Sequence, residues 1–252
     1  MSIFEYFRAT VMSLTPYNCP MSEKRAGRLI SNLTVSQADR VLDAGCGSAE
    51  FLIRLLNTTG CAGVGIDVDD EALSHGMESA KELVQTGRLQ LTNADLRQFN
   101  FDKANYAAAI CLGSSHAFAD AKQAFPVTLE RLSTSVSANG KILIGECFWR
   151  KEPHVDYLDL LGEPVEIYRT FQENIICAEE FGLELVDADQ ATLSEWDVFE
   201  RDHLRRSEIR LSEAPDDENL VNSLIAKREW YAGYEKWGRD TLGFGFYIFQ
   251  KV

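Results

Sequence analysis

The chain of 252 residues is long enough for one α/β domain with additions, and its 45% apolar and 25% charged content is that of an ordinary globular protein. A formal net charge of −14 repels phosphate backbones, so we expect a small-molecule partner and no nucleic acid. No apolar run is long enough to span a bilayer, and the first residues lack a signal-peptide pattern, which predicts a cytoplasmic protein with no membrane partner.

Residues 1–37 precede the first predicted strand and are expected to form a helical cap. Apolar residues recur at helical spacing over residues 3–14, and the proline-containing segment 15–20 ends that pattern. Ser22 is placed to cap a second helix, which we expect to end near Leu33.

The stretch from Val41 to Leu52 carries the strongest signal in the chain. Its first residues are apolar, as in a strand buried on both faces, and Gly45 and Gly47 then permit a sharp turn into an amphipathic helix. Strand, glycine turn and helix form an arrangement that presents free backbone N–H groups to carboxylate or phosphate oxygens. The sequence therefore predicts a ligand site at this turn.

Acidic residues around the turn indicate which ligand it favours. Asp67 closes the next predicted strand about 20 residues beyond the turn, where nucleotide-binding folds place the acid that binds ribose. A dinucleotide site requires a third glycine, but Glu50 occupies that position. Asp43 repels a diphosphate and attracts the ammonium and sulfonium groups of S-adenosylmethionine. An NAD-dependent oxidoreductase is the enzymatic alternative, and Glu50 and Asp43 disfavour it.

The remaining elements of the first half alternate regularly. Helices are predicted over residues 71–86 and 119–137, and strands over residues 64–67, 89–92 and 106–112. A turn at residues 139–140 leads into a fifth strand that ends at Glu146. Strand alternating with helix predicts a doubly wound parallel sheet, in which ligands bind beyond the carboxyl ends of the strands. Five candidate residues fall at those ends: Asp43, Asp67, Asp95, Leu112 and Glu146.

The pattern changes after Arg150. Residues 151–170 contain two prolines and are predicted to form a loop or a short helix near the mouth of the site. The segments that follow are predicted as a helix (172–181), a strand (183–186), two helices (195–211 and 217–237) and a terminal strand (244–249). No repeat or linker interrupts the chain, so we expect one domain.

Several of these motifs together resemble those of the class I S-adenosylmethionine-dependent methyltransferases. The resemblance is close in residues 41–47, 65–68, 93–96 and 140–144, and a looser likeness to a poorly characterised small-molecule branch in bacteria extends toward the C-terminus. It implies an α/β fold with a seven-stranded, mostly parallel, Rossmann-like sheet whose last strand runs antiparallel between the fifth and sixth. An N-terminal helical lid and extra C-terminal helices complete the expected fold.

The resemblance also divides the single domain of residues 1–252 by role. Residues 1–37 are the expected cap, residues 38–145 the cofactor-binding core, and residues 146–252 the acceptor-side insertions with the last strands. S-adenosyl-L-methionine is the implied cofactor, with Asp67 at its ribose hydroxyls and Asp95 near its adenine. The implied cofactor-binding residues are Asp43, Gly45, Cys46, Gly47, Asp67, Val68, Asp95, Leu96 and Leu112.

The sequence indicates the residues that bind the methyl acceptor less clearly than those that bind the cofactor. The Asn/Asp-Pro-Pro-aromatic motif of methyltransferases that act on amino groups of nucleic acid or glutamine is absent after the fourth strand. Ser115 and His116 stand there instead, and His116 is the candidate catalytic base because an imidazole titrates near neutral pH. Further candidate acceptor-binding residues are Tyr17 (a lid residue with Asn18 and Met21), Glu146, Trp149 and Trp196. A capping serine, a structural histidine and core tryptophans are the structural alternatives.

Two further expectations concern cysteines and catalysis. The six cysteines are scattered without metal-binding spacing, so we interpret them as buried free thiols and expect no metal. The cofactor motifs do not themselves demonstrate catalysis, so a cofactor-binding scaffold or sensor is the non-enzymatic alternative.

Overall fold

In the computed structural model, which describes residues 16–252, seven strands form one sheet in the order β3-β2-β1-β4-β5-β7-β6. The strands are β1 (Arg40–Ala44), β2 (Ala62–Asp67), β3 (Leu89–Asn93), β4 (Tyr106–Leu112), β5 (Val136–Trp149), β6 (Leu183–Gln190) and β7 (Leu242–Lys251). β1 to β5 pair in parallel, and β7 runs antiparallel to both β5 and β6. The predicted sheet is therefore confirmed, including the place and direction of its last strand.

The helices flank this sheet, and the helix predicted over residues 3–14 lies outside the described residues. They are α1 (Glu23–Leu33), α2 (Glu50–Thr59), α3 (Asp70–Ser79), α4 (Lys81–Gln85), α5 (Ala124–Ser135), α6 (Val155–Leu161), α7 (Phe171–Glu179), α8 (Leu193–Glu213), α9 (Glu218–Gly233) and α10 (Arg239–Thr241). Ser22 caps α1 as predicted, because its side chain accepts a hydrogen bond from the backbone N–H of Arg25. None of the helices between residues 16 and 252 combines the length and apolar character that membrane crossing requires.

One predicted helix is shorter than expected. The prediction places a helix over residues 119–137, whereas α5 begins only at Ala124, after two short 3₁₀ turns. Pro126 explains the difference, since it lacks the N–H that an interior helical position donates and is tolerated only in the first turn.

Side chains of the central strands alternate between two buried layers. Val41 and Ile110 belong to the hydrophobic cluster on one face of the sheet, whereas Leu42 and Cys111 belong to the cluster on the other. Each of these side chains is fully buried, and burial of one large aliphatic side chain stabilises a fold by roughly 1.5–3 kcal/mol. Helices therefore cover both faces, and because β1 to β5 pair in parallel, their carboxyl ends lie at one edge of the sheet.

β5 extends farther than the sequence indicates. We predict its end at Glu146, but the strand continues to Trp149, and residues 145–149 pair antiparallel with residues 242–246 of β7. β4 has already ended at Leu112, opposite Gly145. The two strands therefore project beyond the parallel part of the sheet, and the expected boundary between core and acceptor-side residues falls inside a strand.

Glycines in this extension make room for aromatic rings. A Cβ on Gly243 would lie 2.3 Å from the Phe148 ring, and one on Gly145 would lie 2.7 Å from the Phe244 ring. Glycine weakens a strand signal in the sequence, but here the aromatic side chains cover the bare backbone of the neighbouring strand. The predicted end of β5 is wrong because residues 147–149 pair with β7, which lies far away in the sequence.

Candidate functional site

A cavity of about 620 Å³ opens at the carboxyl ends of β1, β2 and β4, which is the size of a small-molecule site. The predicted cofactor-binding residues all line it: Asp43, Gly45, Cys46, Gly47, Asp67, Val68, Asp95, Leu96 and Leu112. We call it the larger cavity. The structure thus brings together residues that are spread over 70 positions of the sequence, from Asp43 to Leu112.

The glycine turn between β1 and α2 is held by β2. Gly45 and Cys46 donate their backbone N–H groups to the carbonyl oxygen of Ile66 over 2.8 and 3.1 Å, and Gly47 donates its N–H to Oδ2 of Asp67 over 2.7 Å. The expectation that the turn presents these N–H groups free to a ligand is therefore wrong for all three. Their bonds instead fix the shape of the turn, whose surface lines the larger cavity.

The two glycines of the turn have different reasons to be glycine. Gly45 has a φ of +78°, and a Cβ there would lie 2.3 Å from Cβ of Ser114, which follows β4. Gly47 has a φ of +54°, but nothing lies within 4 Å of the position its Cβ would take. Gly45 thus permits close contact between two strand ends, whereas Gly47 keeps the wall of the larger cavity open.

We expect Gly45→Ala to destabilise the protein more than Gly47→Ala. The left-handed backbone alone costs about 1–2 kcal/mol for a residue with a Cβ, and overlap with a packed neighbour adds about 1–3 kcal/mol. Gly47→Ala should incur only the first cost, and adding Ser114→Gly to Gly45→Ala should recover the second. Urea denaturation of the four proteins measures these differences; equal losses for both single variants would contradict the packing argument.

Buried carboxylate dominates the electrostatics of the larger cavity. Asp43 is only 3% exposed, and its burial together with the charge of Asp67 raises its pKa to about 7. Burial also raises the pKa of Glu50. Among the lining residues between 16 and 252, Arg97 carries the one basic side chain that is charged at neutral pH, and it pairs with Asp120. The cavity therefore favours a ligand with positive charge.

Asp67 and Asp95 are each held by backbone near the cavity mouth. Asp67 accepts hydrogen bonds from Gly47 and from the N–H of Asp69, the latter over 3.0 Å at Oδ1. Asp95 accepts a hydrogen bond from the N–H of Arg97 over 2.8 Å, so it caps a turn. A carboxylate oxygen accepts two hydrogen bonds, so each acid keeps acceptor capacity for a ligand.

Residues just before α1 form another wall of the larger cavity. Tyr17 lies in the wall with its ring 6.2 Å from that of Phe51, and Arg54 donates a hydrogen bond to its hydroxyl over 2.9 Å. Asn18 also lines the cavity, whereas Met21, the third predicted lid residue, is buried in the core.

An ion pair fixes this wall to the C-terminal half. Arg25 on α1 donates to both carboxylate oxygens of Glu195 on α8, over 2.9 and 2.7 Å. Burial alone would raise the pKa of Glu195, but its bonds from Arg25, Thr192 and Ser22 outweigh that effect and lower the pKa to about 2. The pair therefore stays charged at physiological pH and holds α1 against α8.

His116 lies at the junction of the larger cavity with a second one, and it is a poor base. Burial, and next the positive charge of Arg97, lower its pKa to about 4. The imidazole is therefore neutral near pH 7 and takes up a proton only weakly. The lowered pKa disfavours His116 as a base, and the catalytic role that the sequence suggests for it stays a prediction.

The second cavity, which we call the inner cavity, holds about 20 Å³ and lies beside the projecting part of β5 and β7. Three of the predicted acceptor-side residues line it: Ser115, Glu146 and Trp196. Trp149 lines neither cavity. Its indole N–H donates to the carbonyl oxygen of Val165 over 2.7 Å, and its ring packs 5.4 Å from that of Tyr168, so it is a core residue.

Glu146 is the most perturbed acid of the inner cavity. Its burial raises its pKa to about 7, and interactions with Ser115, the N–H of Cys147 and Arg169 only partly oppose the rise. The N–H of Cys147 reaches Oε1 over 3.0 Å, while Oε2 accepts no hydrogen bond of regular geometry from any of the residues between 16 and 252. The indole N–H of Trp196 likewise donates no hydrogen bond of regular geometry to any of the residues between 16 and 252.

Ser114 and Tyr168 are among the cavity residues that sequence reasoning missed. Ser114 packs on Gly45 and donates a hydrogen bond to its carbonyl oxygen over 3.1 Å; the glycine-serine run directly after β4 was the available signal. Tyr168 lines the inner cavity from a segment without periodicity, so the sequence offered no signal for it.

Fold and site together define a class of protein. The strand order with an antiparallel last strand, and a glycine turn with acids at the strand ends, are those of the class I methyltransferase fold. Residues 41–135 match the family model described as a methyltransferase domain, and the chain has the class I methyltransferase fold.

Individual proteins are similar to this chain over most of its length. YjhP of Escherichia coli (strain K12), an uncharacterized protein, is 24% identical over 231 residues, which is 90% of each chain. A Geobacter sulfurreducens S-adenosylmethionine-dependent methyltransferase in complex with S-adenosyl-L-homocysteine has a TM-score of 0.83 at 22% identity, over 99% of this chain and 98% of its own. Its counterpart from Thiobacillus denitrificans, in the same complex, has a TM-score of 0.81 at 23% identity over 100% of both chains.

Proposed function

We propose that this protein transfers a methyl group from S-adenosylmethionine to a small-molecule acceptor. The observation that carries the proposal is the buried carboxylate of Asp43 at the wall of the larger cavity, which receives no compensating cation from residues 16–252. A buried acid of this kind is costly unless a positively charged ligand sits beside it. S-adenosylmethionine carries both an ammonium and a sulfonium group, and it supplies a methyl group on that positively charged sulfur.

The residues of the larger cavity fit this cofactor. Asp67 would accept hydrogen bonds from the ribose hydroxyls with the capacity that its backbone bonds leave, and Asp95 with Leu96 would border the adenine. Val68 is 53% exposed at the mouth, where an apolar side chain can cover a flat ring. Similar solved methyltransferases contain S-adenosyl-L-homocysteine, which supports this assignment.

Charge and cavity size support a small acceptor. The formal net charge of −14 disfavours nucleic acid, and the inner cavity admits only a small group beside the larger one. Methyl transfer requires that the protein exclude water and align the acceptor with the methyl group. Buried aromatic walls do both.

Calorimetry with S-adenosyl-L-homocysteine and with NAD tests the cofactor assignment. We expect Asp67→Ala to weaken binding of S-adenosyl-L-homocysteine at least about tenfold, because the ribose hydroxyls lose a charged acceptor. Asp70→Ala is the matched control: it removes a carboxylate at the start of α3, outside the larger cavity, and should leave the affinity within about threefold. Binding of NAD without binding of S-adenosyl-L-homocysteine would overturn the proposal.

A further inference from the structure

We propose that the inner cavity binds a neutral hydroxyl group of the acceptor, which donates a hydrogen bond to Oε2 of Glu146 and accepts one from the indole N–H of Trp196. The inference rests on the proposed function and deepens it, since it assigns the acceptor to a chemical class, the alcohols and phenols.

Two unpartnered polar atoms of opposite character carry the inference. Glu146 is 7% and Trp196 is 1% exposed, and both line the inner cavity. Neither Oε2 of Glu146 nor Nε1 of Trp196 takes part in a hydrogen bond of regular geometry with residues 16–252, although the Ser115 hydroxyl in the same cavity wall interacts with the Glu146 carboxylate. Buried polar atoms without partners are rare and costly, and an acceptor and a donor that line one cavity call for a ligand that serves both.

The pairing of one acceptor with one donor selects among ligand groups. An ammonium group has no lone pair for the Trp196 N–H, and a carboxylate is repelled by Glu146. A hydroxyl group both donates and accepts, so it satisfies the two atoms at once, and its oxygen is a better acceptor than the nitrogen of a neutral aromatic amine. Aromatic side chains form much of the remaining wall, with Tyr168 and Phe244 among them, and they suit the carbon atoms that carry the hydroxyl.

The inner cavity also lies in the right place for an acceptor. It shares four lining residues with the larger cavity: Asn18, Cys19, Gly113 and His116. Its volume of about 20 Å³ holds a group the size of one hydroxyl, so the body of the acceptor extends into the larger cavity. The hydroxyl therefore sits beside the proposed cofactor and is shielded from solvent.

Titration with three isosteric probes tests the assignment: phenol, aniline and toluene. Ligand-observed NMR would measure each affinity in the absence and presence of saturating S-adenosyl-L-homocysteine, whose own binding is first established by calorimetry. We expect phenol to bind at least about tenfold more tightly than toluene and more tightly than aniline, because only the hydroxyl meets both polar atoms well. Failure of S-adenosyl-L-homocysteine to bind overturns the proposed function; its binding without a phenol preference overturns this inference alone.

Two matched tryptophan variants separate recognition from packing. Trp196→Phe removes the unpartnered N–H and should reduce the preference of phenol over toluene at least about fivefold. Trp149→Phe makes the same change in the core, where the N–H already bonds Val165, and should leave that preference unchanged while lowering the melting temperature more. An unchanged preference in Trp196→Phe, or a structure that shows water and no phenol between Glu146 and Trp196, overturns the inference.

Discussion

Asp43→Asn is expected to make the ligand-free protein more stable and, at the same time, to weaken its binding of S-adenosylmethionine. In the folded protein, burial and then the charge of Asp67 raise the pKa of Asp43 from 3.8 to about 7. Burial favours the protonated form of Asp43, so below the unfolded pKa this side chain does not destabilise the protein. Stability is then lost as the pH rises from the unfolded pKa through the folded pKa. Above pH 7 the ionised Asp43 therefore destabilises the empty protein by up to about 4 kcal/mol.

Denaturant unfolding between pH 4 and pH 8 measures this effect. The stability gain of Asp43→Asn should be small near pH 4, grow as the pH rises to about 7 and level off above it, since the amide does not titrate. Affinity for S-adenosylmethionine should fall at least about tenfold at pH 8, where the wild-type carboxylate is charged. Asp70→Asn, on the exposed start of α3, serves as the control and should change neither quantity by much. A variant that is less stable than the wild type at every pH would refute this account of Asp43.

Much of the fold could be predicted because its signals are local. Val41 and Leu42 are buried in opposite layers, as expected for a central parallel strand, and Gly45 and Gly47 mark the turn that follows. Asp67 stands at a fixed distance beyond the turn because β2 must return to the same edge of the sheet. The strand ends that meet at that edge therefore define the larger cavity from the sequence alone.

The inner cavity could not be predicted because it depends on pairing between distant segments. Glu146 and Phe244 lie on strands that project past the parallel sheet, and Trp196 comes from α8. Sequence patterns report burial but not which polar atom lacks a partner, so Glu146 and Trp196 could be proposed only as acceptor-side residues. For the same reason, the bonds that occupy the N–H groups of Gly45 and Gly47 were not foreseeable.

Asp43 and Glu146 are buried acids that line the two cavities, and each lowers the stability of the ligand-free protein when it is ionised. Burial is the largest cause of the raised pKa of each, which is about 7 in both. One lines the larger cavity and the other the inner cavity, and the two cavities adjoin. In our proposal, Asp43 favours a cationic donor while Glu146 receives a proton from the acceptor. Two carboxylates with similar environments would then serve two different roles because they face different ligands.

Glu146→Gln tests that proton transfer. The acceptor oxygen gains the methyl group, its proton passes to Oε2 of Glu146, and the electron pair of the broken carbon–sulfur bond stays on the donor. Loss of a positioned base lowers such rates by about 10²–10⁴-fold, and we expect at least the lower figure for a hydroxyl compound that the protein methylates. With S-adenosylmethionine saturating, so that the titration of Asp43 does not limit binding, the wild-type rate should rise with pH through about 7 as Glu146 ionises, and the variant should be pH-independent over that range.

The pH dependence of phenol binding also reports the titration of Glu146, and it can be measured without catalytic turnover. An ionised Glu146 is a stronger acceptor than a protonated one, so phenol affinity in the wild type should increase with pH through about 7 and should stay constant in Glu146→Gln.

The titratable or charged groups that border or influence Glu146 are Cys111, His116, Cys147, Tyr168, Arg169 and Tyr247. Burial raises the pKa of the thiols and phenols among them and lowers that of His116 to about 4, so they do not titrate between pH 6 and 8. Asp43→Asn should keep the wild-type pH profile of phenol binding; a flat profile there, or a retained slope in Glu146→Gln, would assign the titration to another group.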